Sequence, residues 1–384
     1  MSDTQKHTKP NVPNLRFPGF EGEWECNKLS TYLYENKERN RAGEFNKSDV
    51  LSVSGDCGIV NQIELLGRSF AGKSVADYHI VRAGNIVYTK SPLKEYPYGI
   101  VKYNSGKDGI VSTLYAVYHH SENVNGRFVE HYFTSTQRTN RYFKPIVRIG
   151  AKHDMKIGNN EVLDNTVFFP GLEEQNKITE LLDLLDQRIA IQNKVIEKYE
   201  SLIKALRHNI FSTLVPEKEV TIADVLSYEQ PTKYIVSDTE YSDNKDLTPV
   251  LTANKAFILG YTEEAEGIYD KGPCIILDDF TLDSKIVDFP FKVKSSAIKI
   301  LSAKTTVRLR YIYEYLKFLD LNTGEHKRHY IAEIEPMMIE LPEEDAIQSI
   351  SYLFDRMDHR RKGLEKDLQL LKSQKDYLLR ALFI

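Results

Sequence analysis

The chain has few cysteines and no long apolar segment. Its 384 residues include three cysteines, Cys26, Cys57 and Cys274, with no Cys-x-x-Cys pair and no Cys/His cluster at metal-ligand spacing. This usage is typical of a reducing cytoplasm and argues against a metal site such as zinc. No segment approaches the roughly 18 apolar residues that span a bilayer. Residues 1–14 are polar, lack the apolar core of a signal peptide, and are predicted to form a disordered tail.

An excess of basic residues is also missing. Lys and Arg number 51 against 55 Asp and Glu, which gives a formal net charge of −4. Nucleic-acid-binding proteins usually show a basic balance. The objection weakens if charge is segregated, and here acidic residues are concentrated in two long segments, whereas basic clusters lie elsewhere beside tyrosines.

Catalytic signatures are absent apart from one apparent match. Residues 67–74, GRSFAGKS, satisfy the phosphate-loop pattern, and residues 274–279 resemble the acidic strand of a nucleotide site. A phosphate loop needs a buried strand before it and a helix after it. Residues 61–64 make a poor buried strand, and residues 75–81 alternate like a strand. We therefore predict a polar turn at Gly72 and no catalytic or cofactor site in this chain.

A long segment occurs twice in the sequence. Residues 170–211 align without a gap with residues 342–383, and internal repeats of this kind indicate the architecture of a chain. The repeat predicts two copies of one unit, each a globular head followed by a long helix. The predicted parts are a tail at 1–14, a first head at 15–169, a first helix at 170–213, a second head at 218–341 and a second helix at 342–384. Identical pairs include Pro170/Pro342, Asp183/Asp355, Asp186/Asp358, Leu206/Leu378 and Phe211/Phe383.

Both long segments carry an apolar stripe with alternating steps of four and three residues. Such steps, sustained over several heptads, favour a coiled coil between the two helices. The alternative is two amphipathic helices that each lie on their own head. The first stripe is Ile178, Leu182, Leu185, Ile189, Ile196, Tyr199, Ile203, Leu206 and Ile210. The second is Ile350, Phe354, Met357, Leu364, Leu368, Leu371, Leu378 and Leu382, with Arg361 and Lys375 interrupting it.

The two heads have short alternating apolar runs bounded by glycine, which predicts mixed, mainly β domains and an α+β fold class overall. They echo each other faintly. Residues 50–52 match 250–252, residues 84–88 match 272–276, and residues 98–101 match 284–287. The helices repeat clearly and the heads have diverged, which suits two heads that read different things.

Two motifs resemble a known family. Residues 15–20, LRFPGF, are followed by GEWE at 22–25, and residues 169–178, FPGLEEQNKI, precede the first long helix. Together with the repeat, they resemble the DNA specificity (S) subunit of a type I restriction–modification enzyme. The resemblance covers nearly the whole chain. The second copy, LPEED at 341–345, departs from the motif because it lacks the glutamine.

The resemblance implies two target-recognition domains that each read one half of a bipartite sequence in double-stranded DNA. It implies an antiparallel coiled coil that holds the heads apart, and two methyltransferase (M) subunits that dock on this frame. S-adenosylmethionine on those subunits, and ATP and Mg on restriction (R) motor-nuclease subunits, would supply the chemistry. The chain itself is then a non-catalytic, cytoplasmic DNA-binding subunit. The alternative is a coiled-coil scaffold whose heads bind protein.

Candidates for DNA contacts lie in turns beside predicted strands, where Lys and Arg can bind phosphates and polar groups can reach bases. In the first head they are Lys37, Arg39, Arg41, Lys73, Lys90, Ser91, Lys94, Tyr96, Tyr98, Arg138, Arg141, Arg148 and Lys152. In the second they are Lys233, Lys255, Lys285, His326, Lys327 and Arg328. A solvated surface charge is the simpler interpretation of each residue alone. Their grouping in two equivalent loops, 150–153 and 324–329, favours DNA.

Overall fold

The structure is a computed structural model that describes residues 11–93, 95–149, 155–252, 256–304, 307–321 and 327–384. It divides into two compact units. Unit 1 contains the described residues up to Gln192 together with Leu368–Ile384, and unit 2 contains Asn193–Asp367. Each predicted head therefore folds together with one half of each long helix, rather than as a separate domain. Among the described residues, no helix is long and apolar enough to cross a membrane.

Unit 1 contains a four-stranded antiparallel sheet, several two-stranded sheets and three short helices. Its strands are β1 (Glu25–Lys28), β2 (Leu33–Glu35), β3 (Leu51–Ser54), β4 (Gly58–Asn61), β5 (His79–Val81), β6 (Ile86–Tyr88), β7 (Val101–Tyr103), β8 (Gly109–Val111), β9 (Ala116–His120), β10 (Arg148–Ile149), β11 (Met155–Lys156) and β12 (Thr166–Phe169). Its helices are α1 (Gln62–Leu66), α2 (Gly126–Thr134) and α3 (Thr136–Phe143), followed by the long helix α4 (Leu172–Ser212).

Unit 2 is built in the same way. Its strands are β13 (Lys218–Thr221), β14 (Leu226–Glu229), β15 (Thr248–Leu251), β16 (Ile258–Thr262), β17 (Cys274–Asp278), β18 (Ser284–Val287), β19 (Lys292–Val293), β20 (Ile298–Ala303) and β21 (Met338–Leu341). Its shorter helices include α5 (Ile222–Val225), α6 (Leu309–Phe318) and a π-helix (Tyr330–Ile334). The long helix α7 (Glu344–Ala381) follows and, like α4, is divided between the two units.

The two heads share one strand topology, which confirms the predicted α+β fold with an internal repeat. The four-stranded sheet has the order β2-β9-β6-β7 in unit 1 and β14-β20-β17-β18 in unit 2. The first strand of each head pairs with its last, β1 with β12 and β13 with β21. The turns before β6 and β17 both use a glycine at φ +91°, Gly84 and Gly272, a left-handed backbone that other residues rarely adopt.

Strand pairing corrects one of the matches between the heads. Ile86 pairs with Tyr103 in unit 1, and Cys274 pairs with Val287 in unit 2. Tyr103 is therefore equivalent to Val287, whereas the sequence match of 98–101 with 284–287 aligned Val101 with Val287. The sequence match is shifted by two residues. Residues two apart on a strand lie on the same face and are often both apolar, so only the hydrogen-bond register distinguishes them.

Helices α4 and α7 pack together along the predicted stripes. In unit 1, Ile178, Leu182 and Leu185 share a buried core with Leu379 and Leu382. In unit 2, Ile203, Leu206 and Ile210 pack against the core that holds Phe354 and Met357. The first half of α4 thus packs against the end of α7, and the second half of α4 packs against the first half of α7. The two helices are therefore antiparallel. Residues off the stripes, such as Val195 and Leu202, are exposed.

Of the two charged residues that interrupt the second stripe, Lys375 forms an ion pair with Asp186 of α4, and Arg361 pairs with Asp358 and Glu365 of its own helix. The apolar seam therefore tolerates both cations because each has acidic partners.

The sequence motifs that carry the family resemblance contact each other in unit 1. Arg16 donates two hydrogen bonds of 2.8 Å to the carboxylate of Glu174, and the Gln175 amide donates to the carbonyl oxygen of Pro170 at 2.9 Å. In the second copy, Ile347 aligns with Gln175 and is buried in the core of unit 2. The departure from the motif thus replaces a hydrogen-bonding side chain with an apolar one.

Residues 11–14 of the predicted tail belong to the described part of the chain. The carbonyl oxygen of Asn11 accepts a hydrogen bond from the backbone N–H of Trp24 at 2.8 Å, and Pro13 is buried. The backbone N–H of Leu15 donates to the carbonyl oxygen of Ala381, at the end of α7, at 2.9 Å. Residues 11–15 are therefore attached to unit 1, and residues 1–10 lie outside the described part of the chain.

Candidate nucleic-acid interface

An arginine fixes each head to one long helix in the same way. Arg127, the second residue of α2, donates to Asp183 at 2.8 Å and lies 3.7 Å from Asp186, while its other nitrogen is 2.6 Å from Glu130. Because both aspartates occur identically in the repeat, the arrangement should recur in unit 2.

It does recur. Arg310, the second residue of α6, lies 2.7 Å from Asp355, 3.6 Å from Asp358 and 3.3 Å from Glu314. We call each set an arginine clamp. Arg127 thus attaches its head to α4, and Arg310 attaches its head to the equivalent turn of α7.

The clamp of unit 1 also contains His131, whose Nε2 lies 2.8 Å from the Asp183 carboxylate. His131, Asp183 and Asp186 have ligand atoms close enough for a metal ion. The guanidinium of Arg127 already donates to Asp183, and a second cation would face its charge. Burial raises the pKa of Asp183, but hydrogen bonds from His131 and Arg127 outweigh it and lower the pKa. The cluster is best described as an ion-pair network.

The end of strand β6 carries the first candidate surface. Lys90 has a left-handed backbone at φ +46°, which is strained for a residue with a side chain. Its Nζ donates to the Asn159 amide oxygen at 2.7 Å, and the amide nitrogen of Asn159 donates to Glu35 at 2.7 Å. Burial lowers the pKa of Lys90, the charge of Glu35 raises it and that of Arg39 lowers it further. Lys90 therefore anchors the segment that follows residues 150–154.

A tight turn follows Lys90. The backbone groups of Leu93 and Tyr96 exchange hydrogen bonds of 3.0 and 3.1 Å. Gly99 closes the turn at φ +80°, and a Cβ there would lie 2.8 Å from the Thr89 hydroxyl, so only glycine fits. Ser91 is exposed and the Tyr96 ring is half-buried, whereas the Tyr98 ring packs against the main core of unit 1. Lys94 lies outside the described residues.

A second basic group lies beside this turn. Arg39 pairs with His79 across a β-bridge and donates to the carbonyl oxygen of Asp77 at 3.0 Å, and Arg41 lies 3.7 Å from the Asp77 carboxylate. Tyr78 joins two segments here, since its carbonyl accepts from Asn40 N–H and its hydroxyl accepts from Gly72 N–H. The structure thus brings the exposed residues Lys37, Arg41 and Lys73 to neighbouring turns.

The apparent phosphate loop is such a turn. Gly67 ends helix α1 at φ +74°, and residues 68–78, all described, contain no helix before β5 begins at His79. The acidic strand, β17, lies in unit 2. Residues 68–78 thus connect α1 to β5 without a helix, and the predicted turn at Gly72 lies in this connection.

Two predicted DNA-contacting arginines instead hold the end of α7. Arg138 is buried, donates to the carbonyl oxygens of Tyr132 at 2.9 Å and Leu379 at 2.7 Å, and lies over the ring of Phe383. Burial lowers the pKa of Arg138 to about 10. The prediction for Arg138 is wrong, because its guanidinium cannot reach DNA. Arg141 is exposed but donates to the carbonyl oxygen of Ile384 at 3.2 Å.

The last candidates of unit 1 lie near the loop at 150–154. Arg148 is exposed on the short strand β10, and Lys152 lies outside the described residues.

The end of strand β17 carries the corresponding surface of unit 2. The Asp279 carboxylate accepts from the backbone N–H groups of His329 and Tyr330 at 3.1 and 2.8 Å. Lys299 lies 3.2 Å from Asp279, and both side chains are 2% exposed. As in unit 1, the end of a central strand anchors the segment that follows a basic loop.

The basic residues of unit 2 differ in their surroundings. Lys327 lies 2.9 Å from Glu333, and Arg328 is exposed with its guanidinium above Phe280. Lys233 is 2.8 Å from Glu229, and Lys285 lies 4.8 Å above the ring of Phe257. Lys255 and His326 lie outside the described residues.

Sequence reasoning missed the anchoring residues Glu35, Asn159, Asp279 and Lys299. Their contacts join chain segments that are far apart in the sequence, and no local pattern marks them. The identical aspartates of the repeat were a usable signal for the arginine clamps.

These observations define a class of protein with two related heads, each clamped to paired long helices and each presenting basic turns beside a central strand. Comparisons with known proteins agree with this class. No family model matches the chain. The specificity subunit of a type I restriction enzyme from Escherichia coli is 41% identical over 169 residues. That match covers 41% of this chain and 42% of the relative, so it spans less than half of the relative's length.

Solved structures share the fold of nearly the whole chain. An S subunit of the type I restriction–modification system from M. genitalium superposes with a TM-score of 0.61 at 13% identity, covering 97% of this chain and 99% of that one. A chain from a structural study of complex assembly and conformational transition of the type I restriction–modification system gives a TM-score of 0.54 at 13% identity, with the same coverage. The resemblance predicted from the sequence is confirmed: the chain is similar to type I specificity subunits in sequence over part of its length and in fold over nearly all of it.

Proposed function

We propose that this chain is the DNA specificity subunit of a type I restriction–modification complex. The observation that carries the proposal is the 41% identity to a specificity subunit within a chain that has the S-subunit fold. The two heads read one half-site each, because they share a frame but differ in the side chains at the ends of β6 and β17. The chain acts in the cytoplasm, where the DNA lies.

In this proposal the heads recognise DNA through two kinds of contact that are usual at protein–DNA interfaces. Exposed Lys and Arg on the basic turns bind phosphates and fix the register, while neighbouring polar groups reach base edges. Lys90 and Asp279 hold the segments that follow the two basic loops, through Asn159 in unit 1 and through the backbone of His329 and Tyr330 in unit 2. The predicted contacts of Lys37, Arg39, Arg41, Lys73, Arg148, Lys327 and Arg328 remain predictions for this role.

Catalysis belongs to partners in this proposal. Two methyltransferase subunits dock on the helical frame and methylate adenine with S-adenosylmethionine, and motor-nuclease subunits add ATP- and Mg-dependent restriction. One relative is a subunit of a type I restriction enzyme, and one structural neighbour comes from a study of complex assembly in the type I system, which supports partners of this kind.

Methyl transfer tests the proposal. The purified chain alone, the partner methyltransferase alone and the two together are incubated with DNA and labelled S-adenosylmethionine. We expect sequence-specific methylation only from the mixture. Methylation by the chain alone, or methylation by the partner that is the same with and without the chain, would contradict it. If the heads bind protein instead, footprinting with the mixture will leave the DNA unprotected.

A further inference from the structure

Unit 2 contains a cavity of about 580 Å³ whose wall includes Lys285, one of the residues that the sequence predicts to contact DNA. It is bounded by strand β18, helix α6 and the halves of α4 and α7 that belong to unit 2. Its size is that of a small-molecule or nucleotide pocket. Its walls include the rings of Phe257, Phe289 and Tyr313 and a group of cations.

Most cations of this cavity are already neutralised. Arg207 lies 2.7 Å from Glu314, and Arg310 belongs to the arginine clamp. Arg361 and Lys362 lie 2.7 and 3.1 Å from Asp358. These groups therefore form a closed ion-pair network that needs no ligand.

Lys285 and Lys317 are different. Both are half-buried, and within the part of the chain that the structure describes neither ammonium has a carboxylate oxygen within salt-bridge distance. They lie above the rings of Phe257 and Tyr313, at 4.8 and 5.8 Å. Two further acids of the wall, Glu200 and Asp288, are exposed to solvent.

The two lysines also repel each other and their basic neighbours. Burial lowers the pKa of both lysines, and the charge of Asp283 raises both. The charge of Arg361 lowers the pKa of Lys285 further. The charges of Arg207 and Lys285 lower the pKa of Lys317 further. A partly desolvated ammonium without an acidic partner is unfavourable, and a bound anion relieves that cost.

Unit 1 has no counterpart of this arrangement among its described residues. On the corresponding strand β7, Val101 occupies the position of Lys285. The lysine next to it, Lys102, lies 3.2 Å from Glu130, and both are largely buried. Helix α2 packs so closely on β7 that a Cβ on Gly126 would lie 2.6 Å from the ring of Tyr103. Helix α2 and strand β7 of unit 1 thus pack closely and pair their charges. The equivalent helix α6 and strand β18 of unit 2 border an open cavity with two lysines that form no salt bridge with the described residues.

We propose that the cavity of unit 2 binds a phosphate group, with the ammonium groups of Lys285 and Lys317 as its donors. The phosphate can come from the DNA backbone or from a free nucleotide. The first source rests on the proposed function and adds a contact to it, whereas the second is independent of that function.

Titrations of the full chain separate these sources. Pyrophosphate and AMP are titrated by calorimetry, and a duplex is titrated by fluorescence anisotropy over a range of salt concentrations. The variant is Lys285→Gln/Lys317→Gln. The control is Lys204→Gln/Lys294→Gln, which removes two exposed lysines of unit 2 outside the cavity. Lys285→Arg/Lys317→Arg keeps both charges, and circular dichroism checks that each variant is folded.

A free-nucleotide site gives saturable binding of AMP or pyrophosphate, weakened at least about tenfold in the glutamine variant and kept in the control and the arginine variant. If the site binds the DNA backbone instead, the glutamine variant should have a shallower slope of log K for the duplex against log salt concentration, by roughly 1 for each lysine removed. If the unaltered chain binds neither small anion saturably and the glutamine variant has the control's salt slope, the proposal is wrong. The methylated DNA sequence is a separate readout, so this result would leave the proposed function standing.

Discussion

Units 1 and 2 use one frame and present different surfaces. Both have the same strand order and an arginine clamp on identical aspartates of the long helices. At the end of the central strand, however, unit 1 places Lys90 and unit 2 places the buried pair Asp279–Lys299. The contacts that hold each head on a long helix repeat, whereas the side chains at the end of the central strand differ.

In the proposed function, this difference lets one repeated frame carry two specificities. Gln175 accepts the N–H of Asn125 in unit 1, and the aligned Ile347 of unit 2 is simply buried. Each unit thus stabilises the same helix start by different means. We infer that the side chains packed at the helix start can vary as long as the arginine clamp and the strand order are kept. The loops at the ends of the sheets can then differ between the two heads.

Removing a clamp should have the largest effect. Arg310→Ala leaves Glu314 buried with one cation fewer, and breaking a buried ion pair from one side costs about 3–5 kcal/mol. We expect Arg127→Ala to cost less, because Arg127 is more exposed than Arg310. Urea unfolding followed by circular dichroism measures both.

The control for the clamp is Lys177→Ala, whose exposed pair with Glu180 is worth at most about 1 kcal/mol. If Arg310→Ala is no more destabilising than this control, the clamp does not hold the head.

Acid should destabilise unit 1 through His79. Burial, aided by the charges of Arg39 and Lys90, lowers the pKa of His79 from 6.5 to about 4. The folded state therefore resists protonation, so stability is full above pH 6.5 and declines by about 3 kcal/mol as the pH falls from 6.5 to about 4. Unfolding of the chain and of His79→Gln, measured across this range, checks it. An equally steep pH dependence in the variant would exclude His79 as the cause.

The turn after β6 should affect one half-site only. Replacing Lys90, Lys94, Tyr96 and Tyr98 together should cost about 1–3 kcal/mol of discrimination for each base that the turn no longer reads. Binding of duplexes with either half-site scrambled measures the effect. The variant should lose its preference at one half and keep it at the other. Unchanged preference at both halves means that the turn does not enter the groove.

Helix insertions should alter the spacer and leave both half-sites as they are. Four residues inserted near Gln192 add about 6 Å to an α-helix and nearly keep its phase. One base pair rises about 3.4 Å, so the unread spacer should grow by one or two base pairs. Two inserted residues rotate the following stripe by about 200° and expose Ile196 and Ile203, so that variant should lose stability. An active four-residue variant with the old spacer would show that the helices do not set it.

Period and repeat were enough to predict the helices and the fold class. Helices α4 and α7 begin two residues after their predicted starts and end within a few residues of their predicted ends. Amphipathic order is local, and a sequence displays it directly. The candidate site was harder. Lys90 meets Asn159, and Asp279 meets the backbone of His329 and Tyr330, and these contacts depend on register that no local pattern encodes.

The error at Arg138 has the same origin. From the sequence it is one more cation in a basic cluster, but its guanidinium lies against the carbonyl oxygen of Leu379, at the far end of the chain. A basic residue buried against the core and a basic residue that faces DNA cannot be distinguished by their neighbours in the sequence. Only the tertiary structure distinguishes them.

The methylated motif in cells tests the central claim, that each head reads one half of a divided target. The motif is mapped by methylome sequencing with the unaltered chain, with the unit 1 turn variant, and with Lys327 and Arg328 replaced in unit 2. We predict a bipartite motif, with one half changed or lost by the first variant and the other half by the second. A motif that does not depend on this chain, or one in which a single-head variant changes both halves, would contradict the claim.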